Sequence, residues 1–151
     1  MPFFVKGEKI TLKNDATWMA DGIEITHDQT REVFFRSIHW DEAESQYYLE
    51  VGYERIFIEV EDTPYFVMAL EHRGTTLIAQ LSNHAEQALD AERLSYVDRK
   101  LYLATHDGQR AKFLSAPYYD LLSDLKEDGS HYFIEVNGKR ANLSAVSRGR
   151  P

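Results

Sequence analysis

A chain of 151 residues, 43% hydrophobic and 28% charged, suits one compact domain or two small lobes and is neither disordered nor fibrous. It has no cysteine, which excludes disulfide scaffolds, thiol catalysis, zinc ribbons and iron–sulfur clusters. With 17 basic and 25 acidic residues the net charge is −8, so phosphate backbones are repelled and general nucleic-acid binding is disfavoured.

The opening Met1-Pro2-Phe3-Phe4-Val5 meets Lys6 and Glu8 too soon for a signal peptide. The longest uncharged apolar stretch, Tyr65 to Leu70, falls far short of the roughly 20 residues of a membrane helix. A soluble, cytoplasmic, membrane-free protein is expected.

In chain order, Ile10 and Leu12 alternate with polar neighbours as in a strand, and Trp18-Met19 makes a second, closed by Asp21-Gly22. Ile23-Glu24-Ile25 alternates again. Thr26 with Gln29 forms a capping box, and Val33, Phe34 and Ile38 recur at helical spacing, which predicts a helix over 27–38. Asp41 to Ser45 reads as an acidic loop. Strands follow at 47–51, 55–61, 65–71 and 76–81, an antiparallel meander joined by short turns. Asn83 to Arg93 reads as a loop with one helical turn. Strands are expected at 94–97 and 101–104, with a turn at His106-Asp107-Gly108. Ser115 with Pro117 predicts a helix start, and Tyr118, Leu121, Leu122 and Leu125 its apolar stripe, stopped by Gly129. Tyr132 to Val136 and Arg140 to Leu143 close the chain as a hairpin over Asn137-Gly138.

Two halves echo one another. Asp21-Gly22 recurs as Asp107-Gly108, Tyr47-Tyr48-Leu49-Glu50-Val51 as Tyr132-Phe133-Ile134-Glu135-Val136, and Arg55 as Arg140. The fold class predicted is α+β, two repeated motifs of strands, one main helix and an antiparallel hairpin, packed into one molecule. The lobes are drawn at 1–75 and 76–146, with a flexible tail at 147–151.

No catalytic motif is present: no nucleophile elbow, no phosphate-binding glycine loop, no dinucleotide fingerprint. Asp124, Asp128, Gly129 and Glu135 approach a calcium-loop pattern, but Lys126 stands at its third ligand place. His27-Asp28 and His106-Asp107 lack the further ligands of a metal site. No metal and no cofactor is expected. The candidate ligand-binding residues are Arg55, Glu59, Glu61 and Asp62, where three carboxylates gather beside a proline turn. Their ordinary role is a solvated strand face with Arg55 and Glu59 pairing along it. Tyr47, Tyr48, Tyr53, Tyr118, Tyr119 and Tyr132 are candidates to line a groove.

Trp18, Gly22-Ile23-Glu24-Ile25-Thr26, Phe34, Tyr48-Leu49, Glu54-Arg55 and above all Ile58-Glu59-Val60-Glu61-Asp62-Thr63-Pro64-Tyr65 resemble the bacterial domain-of-unknown-function family 1285 (DUF1285). In that family the last segment runs Ile-x-Val-Glu-Asp-Ala-Pro-Phe, so Thr63 and Tyr65 depart from it; Glu24 stands for a usual proline and His27 for a usual arginine. The resemblance implies two repeated α+β motifs, suggests a part in signal transduction, and supplies no catalytic residues.

The function expected is a non-enzymatic binding or sensory module whose partner is a small molecule or a protein. The alternative is a carboxylate-based or metal-assisted hydrolase using Glu59, Glu61 and Asp62, and a third reading is a structural dimer subunit that uses strand edges.

Overall fold

The computed structural model describes residues 4–143; the expected tail at 147–151 lies outside them. The chain divides into two units, Met1–Pro64 and Tyr65–Pro151. The division falls at Pro64, before the strand at 65–71 that the sequence gives to the first lobe, because that strand pairs with strands of the second unit.

The first unit runs β1 (Ile10–Leu12), β2 (Trp18–Ala20), β3 (Ile23–Glu24), α1 (Asp28–Arg36), β4 (Ile38–Asp41), β5 (Gln46–Val51) and β6 (Glu54–Val60). Its sheet has the order β3-β2-β1-β6-β5-β4. Two antiparallel meanders join where β1 lies parallel to β6, Ile10 opposite Ile58 and Leu12 opposite Val60. A parallel neighbour requires a long crossover, and the segment from β2 to β5, with α1 at its centre, supplies it. Trp18 and Leu49 are fully buried, and Trp18 meets the rings of Phe34 and Phe35 edge-on at 5.2 and 5.3 Å. The Trp18 indole N–H is buried with no acceptor among the described residues.

Helix α1 starts one residue later than the capping box predicts. Its cap is His27, whose Nδ1 accepts from the Thr30 amide at 3.3 Å. Asp28 pairs with Arg31 on the first turn. The helix ends at Arg36, and Ile38, expected on its apolar face, instead opens β4 and is buried there. A β-branched residue serves either element; pairing with Leu49 on β5 decides it.

The second unit runs β7 (Tyr65–Arg73), β8 (Thr76–Leu81), β9 (Glu86–Ala88), a 3-10 turn (Ala91–Arg93), β10 (Leu94–Val97), β11 (Lys100–Ala104), β12 (Arg110–Phe113), α2 (Ser115–Leu122), β13 (Lys126–Asp128), β14 (His131–Val136) and β15 (Lys139–Asn142). Its larger sheet has the order β10-β11-β12-β7-β8-β9. First strand and last strand again lie side by side and parallel, Ala111 opposite Tyr65. The two six-stranded sheets are thus wired alike, each unit carries one helix, and the fold is α+β with two repeated motifs. β13, β14 and β15 form a separate antiparallel sheet.

Three strands of this unit escape periodicity. β9 replaces the expected loop, β12 follows the Asp107-Gly108 turn, and β13 lies between the apolar stripe ending at Leu125 and Gly129, where the second helix is expected to stop. Each has only three or four residues, too few to display a period. Helix α2 has Leu114 as its cap with no side-chain hydrogen bond, not Ser115. It stops at Leu122, so Leu121 is buried while Leu125, the expected end of the stripe, is exposed.

Asn137-Gly138 makes the hairpin foreseen, both residues at positive φ, 48° and 84°, as a type I′ turn demands. The Asn137 amide does more. Its Oδ1 accepts from the Leu77 amide at 2.8 Å, and its Nδ2 donates to the carbonyls of Leu77 and Leu89 at 3.1 and 2.7 Å. One turn side chain thereby ties the small sheet to β8 and to the end of β9. Gly129, near the calcium-like pattern, sits in the β13–β14 turn, and Glu135 is held by Lys126 at 2.7 Å.

Candidate functional site

Strand β6 alternates as its sequence prescribes: Ile58 is buried while Arg55, Phe57 and Glu59 are exposed on the other face. Arg55 and Glu59 do not pair. The Arg55 guanidinium lies over the Tyr48 ring at 3.9 Å, with its Nε 3.9 Å from Glu50, and Glu59 pairs with Lys9 at 3.3 Å. Register explains it: Glu50 is directly opposite Arg55, and Tyr48 is one diagonal away, opposite Phe57. Glu61, beyond the strand end, accepts from the Asn14 amide at 3.0 Å. Asp62 is half-buried and Thr63 fully buried in the turn to Pro64. The four candidates follow one strand and its exit, and Arg55, Glu59 and Glu61 are engaged by the neighbours just named within the first unit.

His39, Tyr48 and Phe57 stand in register across β4, β5 and β6. His39 stacks on Tyr48 at 5.3 Å and Phe57 meets it edge-on at 6.1 Å. Tyr47, on the opposite face, meets Trp40 at 4.8 Å. Adjacent strand residues point opposite ways, so Tyr47 and Tyr48 do not line one groove. Tyr53 is fully exposed and Tyr119 is 70% exposed.

The second unit holds a cleft of about 180 Å³ lined by Tyr65, Leu81, Asn83, Gln87, Thr105 and His106, among others. Gln87 and Thr105 are buried polar side chains, and each is satisfied. Gln87 donates to the Ala104 carbonyl at 3.0 Å and accepts from the His106 amide at 3.2 Å. Thr105 accepts from the Gln109 amide at 3.1 Å and donates to Asp107, which also accepts from that amide at 3.3 Å. Arg93 donates to the Thr105 carbonyl at 3.3 Å. The β11–β12 turn is therefore fixed from both sides, with the His106 side chain exposed at the mouth. Sequence reasoning read His106-Asp107 as a turn, which it is, and passed over Gln87 and Thr105. A lone glutamine in a three-residue strand carries no periodic signal; only its burial marks it.

Beside the cleft, Arg73 bridges Glu71 at 2.7 Å and Glu86 at 3.0 Å. The guanidinium holds both carboxyls below their ordinary value, and they raise its own. Tyr118 is pushed up to about 12 by desolvation, then by the hydrogen bond to Tyr96 at 3.3 Å. Among the described residues no group of three or more histidines and carboxylates is placed to hold a metal ion, and no helix is long and apolar enough to cross a membrane.

No protein-family model matches the sequence, and no curated protein is similar enough to count as a relative. Two solved structures are similar. A DUF1285 family protein from Silicibacter pomeroyi DSS-3 superposes with a TM-score of 0.69 at 17% identity, over 89% of this chain and 79% of that one. A DUF1285 family protein from Shewanella baltica OS155 gives 0.60 at 20% identity, over 79% of this chain and 94% of that one. This chain has the DUF1285 fold. At such identities the likeness is one of backbone architecture. Within that fold, Val60-Glu61-Asp62-Thr63-Pro64, the segment carrying the resemblance, is the exit from the first six-stranded sheet, and its buried Thr63 gives the motif a packing role.

Proposed function

We propose that this DUF1285-fold protein is a non-enzymatic binding or sensory module, with signal transduction in the cytoplasm as its setting, and that the cleft between Gln87 and His106 takes its ligand. One observation carries the reading: the cleft is walled by buried polar groups whose hydrogen bonds are all made within the fold, so its shape is set before a ligand arrives. Its volume of about 180 Å³ lies below the roughly 300 Å³ at which drug-sized pockets begin, which favours a small ligand, and the exposed Glu86, His106 and Asp107 on its lining favour one that carries polar groups. The engagement of Glu59 by Lys9 and of Glu61 by the Asn14 amide favours structural roles over acid–base chemistry at those carboxylates.

Thermal shift of the full chain against amino acids, nucleotides and divalent cations tests this. At least one small polar class raises the midpoint, and His106→Ala, at an exposed position, reduces the rise. No shift from any class, with measurable turnover of a substrate, overturns it.

A further inference from the structure

The chain contains three meanders of one design, each preceded by a helical segment: β4-β5-β6 after α1, β10-β11-β12 after the 3-10 turn, and β13-β14-β15 after α2. Each middle strand carries an aromatic residue followed by a fully buried aliphatic one: Tyr48-Leu49, Tyr102-Leu103 and Phe133-Ile134. Each last strand carries an arginine two residues before the aromatic's partner in register: Arg55 before Phe57, Arg110 before Lys112, Arg140 before Asn142. In all three the guanidinium lies over the ring, at 3.9, 4.5 and 3.6 Å.

The last strands differ in one respect. β6 and β12 are inner strands, each with a parallel neighbour, β1 or β7, on its far side. β15 is an edge. The other edges repeat from copy to copy: β3 matches β9, and β4 matches β10 and β13. Only β15 departs from its siblings. The Leu143 amide bonds the Tyr132 carbonyl, so by antiparallel alternation the backbone groups of Arg140 and Asn142 face away from β14. Both residues are exposed, and those groups find no partner among the described residues.

We propose that the β15 edge is a docking site for a parallel strand supplied by another protein. The strands that fill this place in the sibling sheets define the chemistry: Ile10-Thr11-Leu12, with both aliphatic residues buried, and Tyr65-Phe66-Val67, buried throughout. The occupant is an extended segment with apolar residues two apart, held by main-chain hydrogen bonds to Arg140 and Asn142, in the manner of β-strand addition. The Arg140 side chain lies over Phe133 on the sheet face, away from the edge. This surface is distinct from the cleft, and either can fail without the other.

The test is amide hydrogen exchange, read by NMR on the full chain with millimolar peptide copying residues 7–15 of this sequence. Exchange at Arg140 and Asn142 slows at least tenfold; a scrambled peptide leaves it unchanged. A spin label on the peptide's N-terminus broadens Arg140 more than Leu143, as a parallel strand requires. Asn142→Pro removes an outward amide at an edge, where proline is tolerated; with folding verified by circular dichroism, it abolishes the slowing at Arg140. No slowing in the wild type, equal slowing by the scrambled peptide, stronger broadening at Leu143, or slowing that survives in a folded Asn142→Pro chain each overturns the proposal. If that variant does not fold, the wild-type exchange map with the two peptides decides.

Discussion

The guanidinium of Arg55 lies 3.9 Å from the centre of the Tyr48 ring, one diagonal away across the β5–β6 hairpin rather than directly opposite. A cation over an aromatic face at an exposed site contributes about 0.5–1 kcal/mol. Arg55→Met is expected to cost that much, with a coupling of similar size in a double-mutant cycle with Tyr48→Leu, measured by urea unfolding. Arg110→Met with Tyr102→Leu should behave alike, since the geometry recurs. Zero coupling in both cycles would mean the arginines merely cover the sheet.

Asn137 carries three hydrogen bonds to the backbone of Leu77 and Leu89 and sits at φ 48°. Asn137→Ala loses the bonds, about 3 kcal/mol at roughly 1 kcal/mol per bond, and adds backbone strain to that loss. Asn137→Gly keeps the left-handed conformation open and loses only the bonds, so it should be the milder of the two in chemical denaturation.

Tyr118 is pushed up to about 12 by desolvation and by its bond to Tyr96. In an alkaline absorbance titration it ionises after tyrosines of ordinary acidity. Because its folded value is raised, the stabilisation it provides is complete below 10, the ordinary value, and disappears as pH rises through 12. Tyr96→Phe should bring its ionisation to lower pH.

Glu71 and Glu86 are held below the ordinary 4.5 by Arg73. Their depressed values make the ion pairs' contribution present above that pH and lost as pH falls below it. Wild type should exceed Arg73→Gln in midpoint at neutral pH, with the gap closing in acid below 4.5. A gap independent of pH would assign the loss to packing of the arginine stem.

The long alternating strands were legible because one face of each is wet: in β6, Ile58 is buried while Phe57 and Glu59 are exposed. The Asn137-Gly138 turn was legible because few dipeptides tolerate two positive φ angles. The short strands β9, β12 and β13 were not, since their residues are held by neighbours distant in sequence. The echo pairs Tyr47–Val51 with Tyr132–Val136 and Asp21-Gly22 with Asp107-Gly108 as halves of one repeat; the sheet order instead matches β5 to β11 and β2–β3 to β8–β9, so the Asp-Gly echo joins unlike turns and the strand echo passes over the middle copy. In β11–β12 the turn is one residue longer and Glu-Val is replaced by Ala-Thr, so only the Arg110–Tyr102 contact reveals the kinship.

The candidate site shows the same division. Arg55, Glu59, Glu61 and Asp62 were visible because charges in a row on a strand stand out, yet their partners Glu50, Lys9 and the Asn14 amide follow from register alone. Gln87 and Thr105 became visible only when two distant segments enclosed them.

Composition and local periodicity by themselves determined an acidic α+β chain, its longer strands, its tight turns and its two helices. Those are properties of a few consecutive residues competing with water. Tertiary structure decided that the first and last strands of each six-stranded sheet lie parallel, which residues wall the cleft and which edge stays open. Each of these depends on hydrogen bonds between strands dozens of residues apart, a choice that local preference does not encode.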